Sequence, residues 1–263
     1  MNLSNYHSHC SFCDGRSMPE EFVKFALAKS FRAYGISSHG PLPFETFWNM
    51  SAFDMPEYLV EISRLKDKYQ GHLEIYTGME IDYLDTTYNP SIPYFQNLPL
   101  DYRIGSVHFL PIATELCEAN MVCIDGPFSE FKQAVDTYFE GDIRKMVKRY
   151  YESSIQMVEL GGIDIVGHLD KIYMNGQRCK DFSFTAPWYR NMVNEYLEVI
   201  AGKGLIVEIN TKNLIKKQQT FPRQEYLSRM RELQIPVMVN SDCHTPDLVN
   251  DGRQEAFDML KQA

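Results

Sequence analysis

The chain has 263 residues, 44% hydrophobic and 23% charged, with a formal net charge of −9 at pH 7. That length suits one large domain with a substantial core, 1–263. The acidic balance argues against long nucleic acid as partner, because phosphate contacts call for a basic face. The opening MNLSNYHSHC lacks a basic segment ahead of an apolar run, and no stretch reaches the roughly 18 apolar residues of a membrane span. A cytoplasmic protein with no membrane partner is the expectation.

In chain order, short apolar segments rich in β-formers occur at 3–9, 33–38, 73–80, 102–107, 163–167, 205–210 and 236–241. Several are continuous apolar runs, as in strands covered on both faces. Longer segments with helical spacing lie between them. The first, MPEEFVKFALAKS, has Ser17 as its expected cap and a proline in its first turn. PEYLVEISRLKDKY places Leu59, Ile62 and Leu65 three apart. DIRKMVKRYYESSIQMVELGG and WYRNMVNEYLEVIAGKG close on glycine, and PRQEYLSRMRELQ completes the series. Strand–helix alternation throughout predicts an α/β fold: a parallel sheet closed into a TIM-like barrel, distorted because seven strands are counted. Residues from about 110 to 140 form an insertion that could act as a lid.

Six of the seven histidines fall at or just beyond the carboxyl ends of these strands: His7, His9, His39, His108, His168 and His244. Glu80 and Asp242 share that placement, and Asp14 follows the first pair. Active sites of β/α barrels are built at that rim. Singly, each signal is weak. HxH is common, Asp14-Gly15 is an ordinary turn dipeptide, and a lone histidine after a strand is usually a hydrogen-bonded core residue. Nine nitrogen and oxygen donors sorted to one rim exceed what one ion needs, and they point to a multinuclear metal centre and a hydrolase. His72, between a helix and a strand, reads as a loop residue with no role. Cys10 and Cys13 form a CxxC with no second copy and read as reduced structural thiols.

The segments HSHCSFCDG, SSHGP (37–41), GMEID (78–82), GSVHF (105–109), GHLD (167–170) and NSDCH (240–244) resemble, in order and from end to end, the motifs of the PHP (polymerase and histidinol phosphatase) family. Standalone length, EINT at 208–211 and the long segment after GSVHF look most like its histidinol-phosphatases. The resemblance implies a distorted (β/α)7 barrel holding three divalent metal ions, manganese, iron or zinc. It implies one ion on His7, His9, Glu80 and Asp242, a second sharing Glu80 with His108 and His168, and a third on Asp14, His39 and His244. Many relatives carry histidine where Asp14 stands; an oxygen donor there hardens the site toward manganese or iron. Cys243 stands where a small residue is usual.

The implied reaction is hydrolysis of L-histidinol phosphate in histidine biosynthesis, with Asp242 and His244 as candidates for proton transfer. Lys171, Arg178 and Lys212 all follow predicted strand ends and are candidates for binding the phosphate of a small substrate. A PHP phosphoesterase acting on nucleotides, oligonucleotide ends or phosphotyrosine keeps the chemistry with another substrate. A metal-dependent amidohydrolase would share HxH and the barrel but leave the nine-donor set unexplained. A scaffold without metals would not need every ligand position filled.

Overall fold

The computed structural model describes residues 3–112, 120–180 and 182–263. Its elements run β1 (Leu3–Asn5), α1 (Pro19–Ala28), β2 (Phe31–Ile36), α2 (Met55–Lys68), β3 (Glu74–Asp82), α3 (Pro93–Gln96) and β4 (Tyr102–Ser106). Then follow β5 (Phe109–Pro111), β6 (Met121–Cys123), α4 (Phe128–Tyr138), α5 (Ile143–Leu160), β7 (Ile165–Val166) and α6 (Tyr173–Gly176). The chain ends with α7 (Pro187–Lys203), β8 (Ile206–Asn210), α8 (Leu214–Lys217), α9 (Leu227–Glu232), β9 (Val237–Asn240) and α10 (Arg253–Gln262).

Seven strands form one parallel sheet in the order β1-β2-β3-β4-β7-β8-β9. The barrel is closed at its β1/β9 seam mainly by side chains rather than by a ladder. Asn5 Nδ2 donates to Ser241 Oγ at 3.0 Å, and Asn5 Oδ1 accepts from Ser241 N at 2.9 Å. Tyr6 N donates to Asn240 Oδ1 at 2.9 Å, and a single bridge joins Ser8 to Cys243. The Arg253 guanidinium, 1% exposed, donates to Val239 O and Ser4 O, one carbonyl on each side of the seam.

Apolar layers hold this closed sheet on both sides. Inside, Tyr102, Ile104, Ile165, Ile206 and Met238 cluster between the strands. Outside, Phe22, Val23 and Ala26 of α1 and Tyr58, Ile62 and Leu65 of α2 pack with β2 and β3. The faces of α5 and α7 cover β7, β8 and β9. Helix α7 stops at Gly204, whose φ of 67° is open to glycine at no steric cost.

Two local expectations change. Helix α1 begins after Met18 with no side-chain cap, so Ser17 does not cap it; Pro19 sets the first turn instead. The helix expected over 222–234 is shorter, a 3-10 turn at Gln224–Tyr226 followed by α9. The insertion is built from the antiparallel pair β5–β6 and α4. The part of the expected lid at 113–119 lies outside the described residues. Among the described residues, no helix is long and apolar enough to cross a membrane.

Candidate metal centre

The nine donors meet at the carboxyl ends of the barrel strands. The Ser8–Cys243 bridge sets HSH beside DCH, so residues flanking the bridge on both segments project together. His9 Nε2 lies 3.1 Å from Asp242 Oδ1, and the His9 and His244 rings are 4.3 Å apart. A second bridge joins His39 to Glu80. His108 and His168 each follow their strand by two residues. Strand β3 runs on to Asp82, so Glu80 sits inside the strand rather than past its end. Asp242 has φ of 48°, a left-handed conformation that aspartate tolerates better than most residues and that marks a held position.

Glu80 is the hub. Its Oε2 lies 3.2 Å from His7 Nε2, 3.0 Å from His39 Nδ1 and 3.5 Å from His9 Nε2. Its Oε1 is 2.9 Å from His168 Nε2, which is 3.1 Å from His108 Nε2. Three sets of ligand atoms each fall within 4.8 Å of one another: His7, His9 and Asp242; His39, Glu80 and His108; and His9, Asp14, His39 and His244. His9 and His39 each belong to two sets, a finer overlap than the division of donors that the family resemblance implies.

These residues fit divalent metal ions. Ligands about 2.0–2.2 Å from a zinc ion stand roughly 3–3.5 Å from each other, the spacing seen around Glu80. His7 Nε2, His9 Nε2 and His39 Nδ1 are buried with no hydrogen-bond partner, an arrangement that is costly unless a cation takes their lone pairs. Burial, then neighbouring His244, lowers the pKa of His9 to about 4. Burial and His9 hold His39 well below the usual histidine value, and burial and Lys171 lower His168. Neutral imidazoles are what a metal requires. His7 and His108 differ: burial opposes their charge, yet Glu208, Glu80 and Asp242 hold His7 well above the usual value, and Asp82 and Glu80 raise His108 to about 9. Carboxylates gathered so closely call for positive charge, and a cation among them would supply it.

An outer layer of hydrogen bonds orients the ligands. Glu208 Oε2 accepts from His7 Nδ1 at 2.7 Å, and Asp82 Oδ1 is 3.0 Å from His108 Nδ1. Ser106 Oγ donates to Glu80 Oε1 at 2.6 Å, and Asn210 Nδ2 to Asp242 Oδ2 at 3.0 Å. Sequence reasoning missed these roles. Their signal was the two-residue period: Asp82 shares a face of β3 with Glu80, and Glu208 and Asn210 share one of β8. Its CxxC context likewise marks Cys13 as merely structural, yet its Sγ lies 3.6 Å from His9 Nδ1.

A cleft of about 480 Å³ opens onto the donors. Lys171, 3% exposed, lines it and pairs with Asp125 of the insertion at 3.0 Å. Lys212 also lines it, with Nζ 3.1 Å from Asp242 Oδ1 and 3.3 Å from His244 Nε2. Arg178 is not among the lining residues. Its guanidinium stacks over Phe128 at 4.0 Å from the ring centroid, on the exposed side of the insertion. Trp48, stacked on Phe109 at 5.5 Å, and the acids Glu45 and Glu130 line the cleft as well, with Asp125 beside Lys171. His72 is exposed, as expected.

The sequence profile of the PHP domain family matches residues 5–212, most of the chain and seven of the nine donors. This chain belongs to the PHP domain family. Among relatives in that family, the histidinol-phosphatase of Bacillus subtilis is 28% identical over 264 residues, covering 93% of this chain and 94% of the relative. That of Lactococcus lactis subsp. lactis is 25% identical over 215 residues, covering 81% and 72%. A crystal structure from Listeria monocytogenes matches with a TM-score of 0.84 and 24% identity, over 96% of this chain and 99% of the other. The histidinol phosphate phosphatase of L. lactis, complexed with zinc, L-histidinol and phosphate, matches with a TM-score of 0.73 and 21% identity, over 98% and 92%. These superpositions establish the seven-stranded barrel fold.

Proposed function

We propose that this chain is a metal-dependent phosphomonoesterase that hydrolyses L-histidinol phosphate to L-histidinol and phosphate, a step of histidine biosynthesis in the cytoplasm. The observation that carries this reading is one cleft lined by seven of the nine donors together with two lysines, Trp48 with Phe109, and the acids Glu45, Asp125 and Glu130. The names of the curated PHP relatives support the choice of substrate.

Three divalent ions, manganese, iron or zinc, would be held by His7, His9, Asp14, His39, Glu80, His108, His168, Asp242 and His244. Bound there, they supply Lewis acidity and lower the pKa of water. The chain's own groups do the rest. Lys171 and Lys212 hold the phosphate oxygens as point charges and fix the phosphorus in the cleft. Asp242 is already engaged through both oxygens, by Lys212 and Asn210, so it serves as acceptor and ligand. His244 is committed in the same way, its Nδ1 3.1 Å from the backbone oxygen of Asp242 and its Nε2 3.2 Å from Asp14 in a shared ligand set, so the departing alkoxide oxygen would take its proton from water at the open edge of the cleft. The insertion acts as a lid: Phe109 with Trp48 offers the imidazole a flat face, and Asp125 and Glu130 offer the ammonium a counter-charge.

Steady-state kcat/KM for histidinol phosphate, set against nucleoside monophosphates and phosphotyrosine, tests the proposal. Histidinol phosphate should lead by about 100-fold or more, since a site built to pair a substrate's polar group rejects analogues lacking it. Equal or better turnover of phosphotyrosine or a nucleotide would replace it with a different PHP phosphoesterase.

A further inference from the structure

His9 differs from His7, His108 and His244 in what holds its outer nitrogen. Glu208 meets His7, Asp82 meets His108, and the backbone oxygen of Asp242 lies 3.1 Å from His244 Nδ1. At His9 the partner is sulfur: Cys13 Sγ, 3.6 Å from Nδ1. His9 is fully buried, and its inner nitrogen Nε2 has no hydrogen-bond partner. The loop after His9 is tied down to make this contact. Cys13 N donates to Cys10 O at 2.9 Å, Gly15 N to the same carbonyl at 3.1 Å, and Arg16 N to His244 O at 2.8 Å. Gly15 passes so close to the backbone of His9 that a β-carbon would fall 2.2 Å from its carbonyl oxygen. Asp14, between the tied residues, belongs with His9 to the set completed by His39 and His244.

We propose that Cys13 is a positioning residue of the metal centre: its sulfur accepts the Nδ1 proton of His9, leaving the Nε2 lone pair aimed inward, and its turn registers Asp14 against the same ligand set. A histidine ligand needs one nitrogen protonated and held for the other to present its lone pair. A thiol is a weaker partner than a carboxylate, so His9 is held in place without the gain in basicity that Glu208 and Asp82 give His7 and His108. Because His9 is shared by two sets, loosening it acts on both. Cys10 serves as comparator, because its Sγ contacts Ser38 Oγ at 3.1 Å and no ligand histidine is among its hydrogen-bond partners.

The role rests on the metal-centre reading but not on the substrate. The test is titration of the chelator-stripped protein with manganese or zinc against a competing chelator. Cys13→Ala should weaken the affected ion by about ten-fold, the lower end of what loss of an outer partner costs. Cys13→Ser should recover part of that, and Cys10→Ala should bind as the parent does. Binding by Cys13→Ala equal to the parent's overturns the role. Cobalt substitution supplies a second readout. A sulfur-to-cobalt charge-transfer band that disappears in Cys13→Ala would make Cys13 a direct ligand and overturn the positioning role. A parent chain that takes up no ion overturns the metal centre itself, an outcome separate from the other two.

Discussion

His7 Nδ1 lies 2.7 Å from Glu208 Oε2, with neither side chain exposed to solvent. This pair spans the barrel interior from the segment after β1 to β8 and fixes which nitrogen of His7 faces Glu80. Glu208→Ala should therefore reduce metal affinity by about 10- to 100-fold in chelator competition, while far-ultraviolet circular dichroism stays native. Unchanged affinity would show that His7 is held by packing alone.

Glu80 pairs with five histidines through two oxygens, so its loss reaches more of the centre than loss of any single imidazole. Glu80→Ala should lower kcat/KM by about 10³-fold or more in a chain that still folds, since the barrel's apolar layers do not involve it. Turnover close to the parent's would remove its shared role.

Lys212 is the more accessible of the two cleft lysines, its side chain 36% exposed. Lys212→Ala should raise KM for the phosphate ester by about ten-fold, the magnitude of one charge-assisted hydrogen bond. The inhibition constant of inorganic phosphate should rise with it. If neither constant moves, Lys212 is an ordinary surface charge.

Arg253 satisfies one carbonyl on each side of the β1/β9 seam. Arg253→Met keeps the bulk and leaves both carbonyls without that donor, a cost of about 2–4 kcal/mol. The melting temperature should fall by about 5–10 °C. An unchanged value would mean that the Asn5–Ser241 and Tyr6–Asn240 bonds close the barrel without it.

The strand count, the parallel order and the rim carrying His7 to His244 were legible in the sequence because apolar runs and strand-end donors are local signals. The roles of Glu208 and Asp82 were not, because each depends on a partner strand: Glu208 meets His7, 201 positions away. Arg178 misled for the same reason. It follows GHLD closely in sequence, but its guanidinium stacks on Phe128 and does not line the cleft. Ser17 had the right chemistry for a cap, yet Pro19 already sets the first turn of α1 and Met18 takes the cap position. Cys13 was hidden because a CxxC carries no indication that one thiol turns back onto the histidine four residues before it.

The convergence of nine donors on one rim is tested most directly by the metal content of protein purified without chelator, measured by elemental analysis. The expected result is close to three ions per chain, one for each ligand set. Less than a single ion per chain, with none gained on reconstitution with manganese, iron or zinc, would contradict a multinuclear centre.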